Sequence, residues 1–121
     1  MITGFAGASI WSNDLNNLLP FYRDLLGLKV TMDSPRYVIL GGDETNRPTL
    51  ALASHSDVHG PNQDPARHMV AFATDDCRAD FQRLKAAGVE FVQEPNAEDG
   101  LILATLKDPE GNLVQLFQYG Q

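Results

Sequence analysis

Asn13-Asp14-Leu15-Asn16-Asn17-Leu18-Leu19-Pro20-Phe21-Tyr22-Arg23-Asp24-Leu25-Leu26-Gly27 reads as a helix with both ends marked. Asn13 and Asp14 carry short polar side chains suited to an N-cap, and Leu15, Leu18, Leu19, Tyr22, Leu25 and Leu26 recur at helical spacing. Gly27 supplies the stop. On its N-terminal side Gly4 to Trp11 has the composition of a strand. On its C-terminal side Leu28 to Met32, Arg36 to Leu40 and Pro48 to Ala53 do too, the last two joined through the turn formers Gly41-Gly42-Asp43-Glu44-Thr45-Asn46. The predicted order is β, α, β, β, β.

The second half repeats it. Arg67 to Thr74 reads as a strand, Asp75-Asp76 as the cap of a helix carrying Phe81, Leu84 and Ala87, and Gly88 as its end. Val89 to Gln93, Leu101 to Lys107 and Asn112 to Tyr119 follow as strands, the last pair linked by Asp108-Pro109-Glu110-Gly111. A shift of about sixty residues maps Asn13-Asp14 on Asp75-Asp76, Gly27 on Gly88 and Pro35 on Pro95. The expected organisation is one domain over 1–121: repeat one over about 1–54, a linker over about 55–66, and repeat two over about 67–121. Each repeat alone leaves one sheet face bare, so the two need each other or a second chain.

With 121 residues and 43% hydrophobic side chains, the chain has the size of a single domain with a self-sufficient core. Its formal charge of −7 repels phosphate backbones and anionic lipid heads, so neither nucleic acid nor a membrane surface is an expected partner. No segment approaches the ~20 apolar residues of a membrane span. Met1-Ile2-Thr3-Gly4-Phe5 lacks the basic start and long apolar stretch of a signal peptide, so a cytoplasmic location is expected. Cys77, the single cysteine, reads as a packing residue near a helix start.

Strand alternation then sorts the side chains. Phe5, Gly7, Ser9 and Trp11 share one face of the first strand; Thr49, Ala51 and Ala53 one face of the fourth. His68, Val70, Phe72 and Thr74 share one face of the fifth; Leu113, Gln115, Phe117 and Tyr119 one face of the last. The opposite sets, such as Leu50 and Leu52 or Val114 and Leu116, are apolar enough to lie under the helices. His68 and Gln115 stand out as polar groups in mid-strand, and the repeat maps them on Gly7 and Ala51. One imidazole and one carboxamide make a poor cage for a catalytic metal, whereas small residues beside Phe5, Trp11, Phe72 and Phe117 leave a hollow for a flat apolar ligand.

Several other signals carry less. His55 and His59, near Asp57 and Asp64, read as solvated linker residues. Trp11 suits either ligand stacking or closure of the core. Gly41-Gly42 is followed by no Gly-Lys pair of a phosphate loop, and no Gly-x-Ser-x-Gly marks a hydrolase nucleophile.

Three segments resemble the vicinal oxygen chelate superfamily, which includes glyoxalase I, the bleomycin and fosfomycin resistance proteins and the extradiol dioxygenases. They are Ser12-Asn13-Asp14-Leu15 with Phe21-Tyr22-Arg23-Asp24-Leu25-Leu26-Gly27-Leu28, Arg67-His68-Met69-Val70-Ala71-Phe72, and Lys107-Asp108-Pro109-Glu110-Gly111-Asn112-Leu113-Val114-Gln115-Leu116. The resemblance implies an α+β fold: two βαβββ repeats forming cupped mixed sheets with helices on the outer faces. Metal-bearing members carry donors on the first, fourth, fifth and eighth strands, at positions that look like Gly7, Ala51, His68 and Gln115. Two of the four donate nothing.

The expectation is therefore a homodimeric protein that binds a small apolar or aromatic molecule without a catalytic metal. Its ligand-binding residues would be Phe5, Gly7, Ser9, Trp11, Ala51, His68, Phe72, Gln115 and Phe117. The alternative is a divalent-metal-dependent lyase, isomerase or dioxygenase in which His68 and Gln115 are metal ligands completed from elsewhere. A third reading makes His68 a general base without metal. Whether the protein is an enzyme stays open between them.

Overall fold

The computed structural model describes residues 1–3, 5–41 and 49–120. The strand starts placed at Gly4 and Pro48, and the turn formers from Gly42 to Asn46, lie outside the described residues. The chain divides into two compact units, Met1–Gly60 and Pro61–Gln121. The expected linker splits at Gly60 between them. His55 donates its backbone N–H to Ser12 in the first unit, and Asn62 donates to Glu110 in the second.

In the first unit β1 (Gly7–Ser12) is followed by α1 (Leu15–Leu19), a π-helical turn (Pro20–Leu25), and strands β2 (Val30–Asp33), β3 (Tyr37–Leu40) and β4 (Thr49–Ser54). The sheet order is β1-β4-β3-β2, with β1 parallel to β4 and the other pairs antiparallel. The second unit repeats this with β5 (Val70–Ala73), α2 (Cys77–Ala86), β6 (Phe91–Glu98), β7 (Leu101–Lys107) and β8 (Leu113–Tyr119), in the order β5-β8-β7-β6. The predicted pair of βαβββ repeats in an α+β fold is what forms.

The helix starts show why the same order arises twice. Ser12 Oγ accepts from the Asp14 N–H at 2.9 Å, and Asp14 Oδ1 accepts from Asn16 N–H at 3.0 Å. Thr74 Oγ1 accepts from the Asp76 N–H at 3.1 Å, and Asp76 Oδ1 accepts from Ala79 N–H at 3.0 Å. A hydroxyl at the strand end followed by an aspartate cap satisfies amides that would otherwise be orphaned at each helix start. α1 packs on β4, and α2 on β6, β7 and β8. Beneath them lie the buried faces, Ile10, Val38, Leu40, Leu50 and Leu52 in one unit and Ile102, Ala104, Leu106, Val114 and Leu116 in the other.

Several boundaries differ from expectation by a residue or more, three of them with a clear physical reason. The first helix does not run regularly to Leu26, because Pro20 has no N–H to donate and the chain widens to a π turn closed by Leu26 N–H to Phe21 C=O at 2.9 Å. β5 is four residues long, beginning at Val70 rather than Arg67. β6 runs to Glu98, past the expected end at Gln93, and turns into β7 at Asp99 (φ 51°) and Gly100 (φ 78°). Pro95 is tolerated inside it because the register skips between Gln93 and Asn96 and β6 is an edge strand. The turn before β8 is locked by Asp108, a buried carboxylate that accepts from Glu110 N–H (2.8 Å), Asn112 N–H (2.9 Å) and Asn112 Nδ2 (2.8 Å).

Candidate functional site

Residues opposite each other on neighbouring strands share a face, so the registers fix what the uncovered side of each sheet presents. In the first unit one row is Ser9–Ala51–Ile39–Met32 and the next is Trp11–Ala53–Tyr37, with Gly7 and Thr49 at the other end. The predicted assignment of Gly7, Ser9, Trp11, Ala51 and Ala53 to a common side therefore matches the register. Met32 (52% exposed), Trp11 (48%) and Tyr37 (38%) make this an open apolar face, and Tyr37 Oη lies 3.5 Å from Met32 Sδ. Phe5 precedes β1 and is exposed.

Gly7 has a reason of its own to lack a side chain. A Cβ built there would run into the carbonyl oxygen of Thr49 on the paired strand. The position is thus not a hollow left by a missing ligand; Thr49 occupies the space.

In the second unit the central row is Gln93–Thr105–Gln115–Ala71, and the next is Asn96–Leu103–Phe117–Ala73. Gln115 Nε2 donates to Thr105 Oγ1 at 3.4 Å, and Thr105 is only 4% exposed. Phe117 and Tyr119, two apart on this face, pack edge to face with centroids 6.1 Å apart. This uncovered face has a polar, uncharged middle.

The expected placement of β5 needs correction. Because Ala71 pairs with Gln115, and Phe72 with Leu116, Val70 and Phe72 lie on the helix-covered side with Val114 and Leu116. Phe72 is therefore not on the Gln115 face. His68 stands in a bend before β5, exposed, where strand alternation does not fix the direction of its ring. The internal repeat moves by one residue as well. At the shift that carries cap Asp14 onto cap Asp76, and Ser9 onto Ala71, Gly7 falls on Met69 and not on His68.

These positions do not fit a catalytic divalent metal. Gly7 and Ala51 have no donor atom, Met69 offers a thioether suited to soft metals, and Gln115 offers one neutral carboxamide. Among the described residues no group of three or more His, Cys, Asp or Glu is placed to hold a metal ion. The single cysteine is structural. Cys77 is buried at the start of α2, where its N–H donates to Gln118 Oε1 at 2.8 Å, and burial above all pushes its thiol pKa up.

Thr105, Gln93, Tyr37 and Met32 belong to the uncovered faces but were absent from the expected set. Thr105 was recoverable, since β7 begins and ends where the sequence placed it and its alternation puts Thr105 opposite Ile102, Ala104 and Leu106.

Residues 4–116 match the family model of the Glyoxalase/Bleomycin resistance protein/Dioxygenase superfamily. An uncharacterized protein of Shewanella frigidimarina is 30% identical over 117 residues, covering 88% of this chain and 86% of that one. A probable lactoylglutathione lyase of Vibrio cholerae is 28% identical, covering 89% of this chain and 85% of that one. Among solved structures, TnmS3, an antibiotic binding protein from Streptomyces sp. CB03234, is similar with a TM-score of 0.74 at 23% identity, over 98% of both chains. That likeness is one of fold. No described helix is long and apolar enough to cross a membrane.

Proposed function

We propose a binding role on one established premise: the chain belongs to the glyoxalase/bleomycin resistance protein/dioxygenase superfamily. Within it, this protein binds a small planar molecule on its uncovered strand faces and does no metal chemistry there. The observation that carries the reading is the chemistry of the positions where the family resemblance puts metal donors. Gly7 is required to be bare by the approach of Thr49, Ala51 is bare, and Gln115 is a neutral amide already tied to Thr105. Around them stand groups that recognise flat ligands by stacking and by uncharged hydrogen bonds: Trp11, Tyr37 and Met32 in one unit, Gln115, Gln93 and Phe117 in the other. The protein acts as a homodimer in solution.

The test is a binding screen of planar aromatic compounds by calorimetry, with and without EDTA, on protein whose metal content has been measured. Affinity unmoved by EDTA, and weakened about tenfold by Trp11→Ala or Gln115→Ala, supports the reading; a removed aromatic or amide contact of about 1.4 kcal/mol has that effect. Stoichiometric metal whose removal abolishes binding or turnover would instead favour the lyase reading, which the Vibrio cholerae relative's name suggests. Native mass spectrometry checks the dimer, which a solely monomeric spectrum at micromolar concentration rules out.

A further inference from the structure

The single tryptophan of the chain meets a histidine that the binding reading does not use. The His55 ring packs edge to face against Trp11, with centroids 5.7 Å apart and planes at 85°. Two backbone bonds fix where His55 sits: its N–H donates to Ser12 C=O at 2.9 Å, next to Trp11 on β1, and its C=O accepts from Val58 N–H at 3.2 Å. A third bond fixes the ring. Nδ1 accepts from the Asp57 N–H at 3.0 Å.

An imidazole nitrogen that accepts from a backbone amide carries no proton, so this geometry belongs to the neutral tautomer with its hydrogen on Nε2. Protonation makes Nδ1 a donor facing a donor, and the ring must leave the Asp57 amide. The resulting imidazolium then has the π face of Trp11 within reach. The titratable and charged groups on the surrounding segments are Asp57 and His59 on its own turn, Asp14 beyond Ser12, and Arg36 and Tyr37 at the start of β3. His59 is engaged with Asn13 Nδ2 at 3.5 Å, and among the described residues none of these groups forms an ion pair with the His55 ring.

We propose that His55 is a positioning residue for Trp11 and a proton-operated latch: neutral, it holds the indole in its orientation on the open face; protonated, it releases the Asp57 amide and competes for the indole face. The first part concerns the ligand-free protein alone. The second, that protonation weakens binding of a planar ligand, rests on the binding role proposed above.

Tryptophan emission of the ligand-free protein, titrated from pH 8 to pH 5, reads the latch directly. A one-proton step is expected, lost in His55→Gln and kept in His59→Gln. No step in the parent protein, or a step surviving in His55→Gln, overturns the latch. Proflavine, a planar aromatic cation, then probes the face. Its affinity should fall about two- to five-fold across the same step, the range of a competing exposed cation–π contact. An emission step without any proflavine binding refutes only the proposed binding role for this class of ligand. Proflavine binding that ignores pH, with the emission step present, overturns the competition.

Discussion

The two units share strand order, pairing and helix caps, yet their uncovered faces carry different chemistry. Where the first has the row Ser9–Ala51–Ile39–Met32, the second has Ala71–Gln115–Thr105–Gln93; where the first has Trp11–Ala53–Tyr37, the second has Ala73–Phe117–Leu103. The covered faces do not diverge in this way, being largely apolar in both. Burial under a helix demands apolar volume and so holds both copies to one pattern. An uncovered face has no such demand and is free to follow a ligand. The helices differ too: the step from Asp14 to Gly27 is one residue longer than that from Asp76 to Gly88, and the π turn at Pro20–Leu25 absorbs the extra residue that α2 lacks.

The largest break in the comparison should come at an asymmetry that sterics enforce. Gly7→Val forces a branched side chain onto the Thr49 carbonyl, whereas Met69→Val, at the matching place in the second unit, alters a side chain that is 37% exposed. The first should cost about 3 kcal/mol and the second no more than about 0.5 kcal/mol. Thermal melts of the two variants check this, the Gly7 variant losing about 10 °C on the usual scale for a domain of this size. Equal, small shifts would mean that Thr49 moves aside and that position 7 could carry a donor after all.

A gentler comparison sets one cap against the other. Asp14→Ala and Asp76→Ala each remove an acceptor for one helix amide, with an expected loss of about 1 kcal/mol apiece. Denaturant midpoints measure both. If the repeat is a repeat in energy as well as order, the losses agree and add in the double variant. A loss confined to Asp76→Ala would mean that α1, only five residues before its π turn, draws its stability from Leu18 and Tyr22 beneath it and not from its start.

Most of the architecture was legible because caps, stops and aliphatic alternation are local signals. Asp14, Gly27, Asp76 and Gly88 bounded both helices, and Leu101 to Lys107 came out to the residue. Two further signals are local as well: Asp99-Gly100, the dipeptide of a two-residue hairpin, marks the end of β6, and the unequal cap-to-glycine spacing accompanies the π turn. The candidate site was harder, because face assignment depends on parity and one residue of error reverses a strand. Grouping the alternating set His68, Val70 and Phe72 with Gln115 chooses the wrong parity for β5; the pairing of Ala71 with Gln115 takes Phe72 off that side, and β5 starts only at Val70, which leaves His68 outside the strand. That Gly7 is bare for steric reasons depends on the carbonyl of Thr49, far away in sequence, and no local pattern contains it.

The smallest effect expected is at the pair peculiar to the π turn. Arg23 and Asp24 form an exposed two-bond ion pair at 2.8 and 3.0 Å, with no equivalent neighbours on α2, where Arg83 instead reaches back to Asp80. The hydrogen bond from Arg23, chiefly, holds the Asp24 carboxyl below its usual range. A carboxylate with a lowered folded-state pKa contributes stability that is present above its unfolded value, near pH 4, and is lost as pH falls through the lowered one. Adjacent side chains that meet in solvent are nevertheless screened and give up side-chain freedom to do so. Asp24→Asn should therefore leave Tm unchanged within replicate scatter at pH 7, and any difference from the parent should shrink as acid protonates the Asp24 carboxyl. A clear loss at pH 7 that shrinks as the carboxyl is protonated would show the pair bracing the π turn, and the first helix would then owe its irregular geometry to charge as well as to Pro20.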